Sequence, residues 1–224
     1  MSMLSNLDLI RRVPLFAMLT PLQAESLAGA VGKRRFKRGE LIVEQGKKCD
    51  ALFIILAGRA RVVATDRKGR EVILATLHSG DYIGEMSLID KEPHSASVEA
   101  EIQTDALVLG GDDFNRCLLE NTSTVAAVMK GLVQRLRSAD RKIESLALMG
   151  VYGRVAHVLM ENSVPGLDNM NIIRDKISRQ DIAKMVGASR EMVSRVMKDF
   201  EEQNFIETRK DGAILIKERR KVPR

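Results

Sequence analysis

The chain has 224 residues, 45% hydrophobic and 29% charged, enough for two water-soluble globular domains. No apolar run approaches the ~20 residues that span a bilayer, and Met1–Phe16 is interrupted by Asp8, Arg11, Arg12 and Pro14, so neither a signal peptide nor a membrane partner is expected and the cytoplasm is the expected compartment. The net charge of +6 lies in the second half: residues 1–120 carry 16 Lys and Arg against 17 Asp and Glu, residues 121–177 carry 8 against 5, and residues 178–224 carry 12 against 8. A neutral front and a basic rear fit a polyanion-binding rear domain, although a solvated basic face would give the same count. Two cysteines (Cys49, Cys117) and three histidines (His78, His94, His157) exclude a four-thiolate cluster and show no zinc-ligand spacing, so no metal is expected.

Residues 1–32 read as short helices, with Thr20-Pro21 supplying an N-cap and a first-turn proline. From about residue 35 to 110 short β-prone runs recur: Leu41–Val43, Leu52–Leu56, Ala60–Ala64, Val72–Leu77 and Ala106–Leu109, separated by Gly39, Gly46, Gly58, Lys68-Gly69 and Ser79-Gly80. That spacing predicts a sandwich or small barrel. Beyond residue 112 the period changes. Val125, Met129, Leu132, Leu136, Ala139, Ile143 and Leu146 are spaced alternately by four and three, an unbroken heptad seam. Such a seam suits a helix paired with a second copy of itself, or one amphipathic helix packed on its own domain.

The last segment predicts a helix over Tyr152–Asn162, then a helix–turn–helix. Ser178 caps Arg179–Val186, Gly187 makes the turn, and Ser189 caps a helix from Arg190 to Gln203. Val193, Val196, Met197 and Phe200 form its apolar stripe. Phe205–Thr208 and Ala213–Lys217 flank Arg209-Lys210-Asp211-Gly212, a hairpin signal. Two short helices and a hairpin make a winged helix-turn-helix, whose second helix must present its N-terminal side chains to the major groove of double-stranded DNA. Arg190, Glu191, Ser194 and Arg195 lie within about one and a half turns. Arginine can bond guanine O6 and N7, glutamate cytosine N4, and serine a base or phosphate. Glu191 and Arg195 would equally form an ordinary i, i+4 ion pair.

Ile177–Met197 (Ile-Ser-Arg-Gln-Asp-Ile-Ala-Lys-Met-Val-Gly-Ala-Ser-Arg-Glu-Met-Val-Ser-Arg-Val-Met) resembles the DNA-binding motif of the cyclic-AMP receptor protein and fumarate–nitrate regulator (CRP/FNR) family. Gly80–Val98 resembles the same family's phosphate-binding cassette. The resemblance implies an α+β chain in three parts: a cyclic-nucleotide-binding-like jelly roll of eight strands (1–120), a long dimerisation helix (121–149) and a winged helix-turn-helix (150–224). It implies a homodimer that reads an inverted TGTGA-like repeat through Arg190, Glu191 and Arg195, with Ser194 also in the reading set. Arg179, Gln180 and Ser189 would contact phosphates, and RNA polymerase would be a further partner.

For the effector, the resemblance implies a pocket built from Gly84, Glu85, Met86, His94, Ser95 and Asp140. In nucleotide-binding members the Gly-Glu pair holds the ribose and an Arg-Ser pair holds the cyclic phosphate. Here His94 replaces the arginine, giving up a permanently charged fork. Ala139 and Asp140 stand where a threonine and a serine contact adenine. Both departures argue against tight binding of cyclic AMP. Cyclic di-GMP is compatible with Arg135, Arg137, Asp140 and Arg141, though these charges equally suit a solvated helix face. Glu85 could instead serve a backbone turn, and His94 could be a partly exposed loop residue. The pocket would then be vestigial and the regulator independent of ligand. No G-x-S-x-G, P-loop or metal dyad is present, so an enzyme is not expected.

Overall fold

The computed structural model describes residues 5–166, 170–209 and 211–217. The chain forms two compact units, Met1–Arg137 and Ser138–Arg224.

The first unit opens on α1 (Asn6–Arg12) and α2 (Pro21–Ala30), joined by a 3-10 turn at Pro14–Phe16. Thr20 caps α2 as its sequence predicts. Its hydroxyl accepts from the Gln23 N–H at 3.4 Å, and the Gln23 side-chain oxygen accepts from the Thr20 N–H at 2.9 Å. Eight strands follow: β1 (Val31–Phe36), β2 (Leu41–Val43), β3 (Ala51–Ala57), β4 (Ala60–Thr65), β5 (Glu71–Leu77), β6 (Tyr82–Ile83), β7 (Ser97–Ala100) and β8 (Thr104–Gly110). They pair antiparallel in two four-stranded sheets, ordered β1-β8-β3-β6 and β2-β7-β4-β5. This is the expected eight-stranded sandwich. The apolar runs named from the sequence all lie in strands. β1, β6 and β7 were not among them. β1 reads Val-Gly-Lys-Arg-Arg-Phe and buries only its two ends, so its pattern carries no alternation.

Leu52, Ile54, Leu107, Leu109 and Phe114 are fully buried in one core cluster, Phe36, Phe53 and Ile55 in another. Each such side chain contributes roughly 1.5–3 kcal/mol by leaving water. Between β6 and β7 the chain forms the short helix α3 (Glu85–Asp90), and after β8 come α4 (Gly111–Glu120) and the long α5 (Thr122–Leu148), within which the two compact units meet in sequence.

The first turns of α5 pack on the first unit through Thr124 and Val128, 1% and 3% exposed. At Gly131 a Cβ would collide with the Tyr82 hydroxyl, so the helix comes close to β6 at a residue with no side chain. The seam occupies a different face. Val125 and Leu132 are half-buried, but Met129, Leu136, Ile143 and Leu146 are each more than half exposed. Packing on its own unit therefore does not account for the heptad pattern.

The second unit contains α6 (Val151–Glu161), β9 (Val164–Pro165), β10 (Asn171–Ile173), α7 (Arg179–Val186), α8 (Arg190–Glu202), β11 (Ile206–Thr208) and β12 (Ile214–Ile216). The sheet order is β11-β12-β10-β9. The expected hairpin is β11–β12, closed by Arg209 N–H to Ala213 O at 2.8 Å and by Gly212 at φ +90°. Lys210, named in that turn, lies outside the described residues. β9 and β10 were not foreseen, because Pro165-Gly166 reads as a loop signal. Val155, Leu159, Ile182, Val186, Val193, Val196 and Met197 form the core under all three helices.

Candidate functional site

Two groups of residues merit attention, one in each unit. In the second unit, the Ser178 hydroxyl accepts from the Asp181 N–H at 3.0 Å and starts α7. Gly187 ends it in the left-handed region at φ +63°, where an L side chain would be strained. Ala188 N–H then bonds Ala183 O, and the Ser189 hydroxyl accepts from Met192 N–H at 3.2 Å to start α8. Each cap is worth about 1 kcal/mol and fixes where its helix begins. The chain thus enters α8 with Arg190 as its first helical residue.

α8 is two-sided. Val193, Val196, Met197 and Phe200 are buried, and Phe200 meets Tyr152 and Phe205 edge-on at 5.9 and 5.0 Å between ring centroids. Arg190, Glu191, Ser194 and Arg195 are exposed on the opposite side, next to Ser189. The Glu191 carboxyl is held below its usual range by its own backbone N–H and the Ser189 hydroxyl, with the Arg190 charge adding. It is therefore ionised and an acceptor at neutral pH. Gln180 is exposed at the start of α7. Arg179 is half-buried and lies 3.8 Å from Glu201, whose carboxylate also accepts from the Thr208 hydroxyl at 2.5 Å. All seven residues named for DNA contact therefore lie on the first turn of α7, on the first two turns of α8 or at the cap between them.

In the first unit, buried Gly84 turns the chain from β6 into α3 at φ +100°. Glu85 follows and is 1% exposed. Its Oε1 accepts from Arg135 Nη1 of α5 at 2.5 Å, while Oε2 is buried with no partner. Arg135 also donates through Nη2 to the Tyr82 carbonyl and lies 5.0 Å from the Tyr82 ring centroid. Burial pushes the Glu85 carboxyl up, and the Arg135 charge pulls it partly back. The pairing of Arg135 with Glu85 was not foreseen. Several arginines crowd that part of α5, and nothing in their spacing singles one out.

His94 departs from the partly exposed loop residue allowed by the sequence. It is 7% exposed, with Nδ1 2.9 Å from the Ser87 hydroxyl and Nε2 buried without a partner. Burial pushes its pKa below 6.5, so the ring is neutral at neutral pH. Ser95 and Met86 are exposed on the loop and on α3. Asp140 is exposed on the part of α5 assigned to the second unit. Glu85 Oε2 suits a hydroxyl donor such as a ribose hydroxyl. Neutral His94, with one nitrogen already engaged, offers a cyclic phosphate no fixed positive charge. The hydroxyl-binding half of a cyclic-nucleotide site thus fits a nucleotide better than the phosphate-binding half does. Among the described residues, no group of three His, Cys, Asp or Glu is placed to hold a metal, and no helix is long and apolar enough to cross a membrane.

Comparison with known proteins assigns both units. Residues 33–121 match the cyclic nucleotide-binding domain and residues 153–222 the Crp-like helix-turn-helix domain. The chain is 34% identical over 183 residues to the cAMP-activated global transcriptional regulator Vfr of Pseudomonas aeruginosa, covering 78% of this chain and 84% of Vfr. It is 32% identical over 194 residues to the cyclic AMP receptor protein of Thermus thermophilus, covering 86% and 88%. The fold is similar to that of the c-di-GMP responsive global regulator CLP of Xanthomonas campestris, with a TM-score of 0.78 at 22% identity over 89% of this chain and all of that one.

Proposed function

Because the chain belongs to the CRP/FNR family of DNA-binding transcription regulators and carries its cyclic nucleotide-binding domain, we propose that it is a homodimer gated by a small effector and reading an inverted TGTGA-like repeat. The observation that carries the gating is the Glu85–Arg135 pair. A buried carboxylate in the sensor is tied to the long helix and keeps one buried oxygen without a hydrogen-bond partner. An effector hydroxyl on Glu85 Oε2 would compete for charge with Arg135 and so change how α5 is held. The effector biases the two states of the dimer only by its differential affinity for them. The proposed pocket comprises Gly84, Glu85, Met86, His94 and Ser95, all in the first unit. The proposed dimer surface is the seam on residues 121–149, between a sensor at 1–120 and a DNA-binding domain at 150–224. RNA polymerase is the proposed partner at the promoter.

The test is fluorescence anisotropy on a duplex bearing the inverted repeat, with cyclic AMP, cyclic GMP, cyclic di-GMP or no nucleotide. Vfr is named for activation by cyclic AMP and CLP for response to c-di-GMP, which makes these the first ligands to compare. A nucleotide that changes affinity in the wild type and not in Glu85→Ala supports gating through Glu85. Specific binding that is indifferent to all three would leave a regulator with a vestigial pocket or a different effector.

The base-reading assignment has its own test. Arg190→Ala is expected to lose roughly 1–3 kcal/mol of binding and to relax preference at one guanine per half-site. Arg179→Ala is expected to weaken binding on every sequence alike and to flatten the salt slope by about one. Competition titrations over single-base variants of the site distinguish the two. An equal loss from Arg190→Ala on all sequences would remove it from the base-reading set.

A further inference from the structure

A carboxylate stands beside the face of α8 proposed to read bases. Asp199 follows Arg195 by four residues, so the two side chains are neighbours on the helix surface. Lys198 and Glu202 of the same helix, with the same spacing and the same order of charges, are paired at 3.5 Å. Arg195 is exposed and enters no ion pair among the described residues. Asp199 is held from another helix instead. The Tyr152 hydroxyl of α6 donates to Asp199 Oδ2. The Tyr152 ring rests edge-on against Phe200 at 5.9 Å between centroids, which fixes the ring beside the residue next to Asp199. The bond to Asp199 pushes the Tyr152 hydroxyl up, and the Arg195 charge pulls it partly back, so the hydroxyl keeps its proton at neutral pH and Arg195 stands near the pair.

A released Asp199 carboxylate would draw the Arg195 guanidinium back along the helix and engage the donors that a guanine needs. We infer that Tyr152 is a positioning residue for base recognition: it holds Asp199 in its own hydrogen bond and so leaves Arg195 available to guanine. The inference rests on Arg195 reading a base, as proposed above. Tyr152 acts through Asp199 and needs no contact with DNA itself. The pair is built from α6 and α8, so a residue outside the helix–turn–helix bears on what its second helix recognises.

The test uses the full chain, with competition anisotropy over single-base variants of the inverted repeat and NMR of the arginine side chains in the free protein. Tyr152→Phe keeps the ring on Phe200 and removes only the donor. It is expected to shift the Arg195 Nε–H signal of the free protein. It is also expected to lower the preference for the base that Arg195 reads by about 2-fold per half-site and about 4-fold on the whole repeat, the size of an i, i+4 ion pair. Preferences at the other positions are expected to stay. Adding Asp199→Asn is expected to restore both readouts, because a neutral amide forms no ion pair. Losing the Asp199 charge strengthens binding on every sequence alike and cancels in the ratio. In Arg195→Ala, which locates the base, Tyr152→Phe is expected to change no preference. An unmoved Arg195 signal, a loss spread equally over all positions, or a loss that Asp199→Asn leaves in place would each overturn the inference. If Arg195→Ala alters no base preference, the base-reading assignment fails and the inference with it. The free-protein signal is independent of DNA, and it tells that failure from a failure of Tyr152 to hold Asp199.

Discussion

Leu136→Glu is expected to convert the protein to a monomer and to lower affinity for a two-half-site operator by about 100-fold or more, since a second recognition helix delivered by the same molecule multiplies affinity by roughly 10²–10⁴. Leu136 sits in the middle of the seam and is 62% exposed in the single chain. A glutamate there costs the monomer little, because its carboxylate reaches water. In a paired helix the same position becomes a desolvated core contact, and two glutamates would face each other across it. Gln134→Glu adds the same charge on the helix side opposite Leu132 and Leu136 and is expected to leave the dimer intact. Sedimentation velocity reads the oligomer, and anisotropy on half-site and full-site duplexes reads the coupling. A Leu136→Glu dimer in the centrifuge would rule the seam out as the interface.

Removing Arg135 is expected to destabilise the sensor in a pH-dependent way. Arg135→Ala leaves the Glu85 carboxylate buried without its cation. The expected cost at neutral pH is about 2 kcal/mol, below the ~3–5 kcal/mol of a fully buried pair because the Arg135 side chain is 40% exposed. Burial raises the folded-state pKa of Glu85 above its ordinary value of 4.5, and Arg135 opposes that rise. Without Arg135 the folded-state value lies higher still. A carboxyl whose folded pKa is raised costs no stability below its unfolded pKa. The penalty then develops as pH rises through the folded value. The deficit of Arg135→Ala is therefore expected to be small near pH 4 and full above the folded-state pKa. Glu85→Gln in the same background is expected to recover most of it, because a neutral amide has no charge to bury. Denaturation curves at several pH values check this. A deficit independent of pH, or one not relieved by Glu85→Gln, would mean that Arg135 acts through packing on Tyr82 instead of through charge.

These two residues also mark how far the sequence reaches. The sandwich, the long helix and the winged helix-turn-helix were legible because each rests on a local signal with a physical cause. Short β-prone runs separated by turn residues gave β2, β3, β4, β5 and β8. Spacings of four and three gave the seam. Ser178, Gly187 and Ser189 gave the ends of α7 and α8, since caps and left-handed turns are properties of a few neighbouring residues. The exposed face of α8 followed from the same periodicity, once its buried stripe was placed. β1, β6, β7 and the β9–β10 pair escaped, because their strand form comes from pairing with distant strands and their own patterns carry little sign of it. Tertiary structure alone decided the environment of the sensor site. Residues 50 positions apart in sequence met as Glu85 and Arg135, and Ser87 met His94 across a loop. Burial then pushed the Glu85 carboxyl up and the His94 ring down. A titratable side chain takes its charge state from how much water surrounds it and which charges stand nearby, and both are set by the folding of distant segments onto one another.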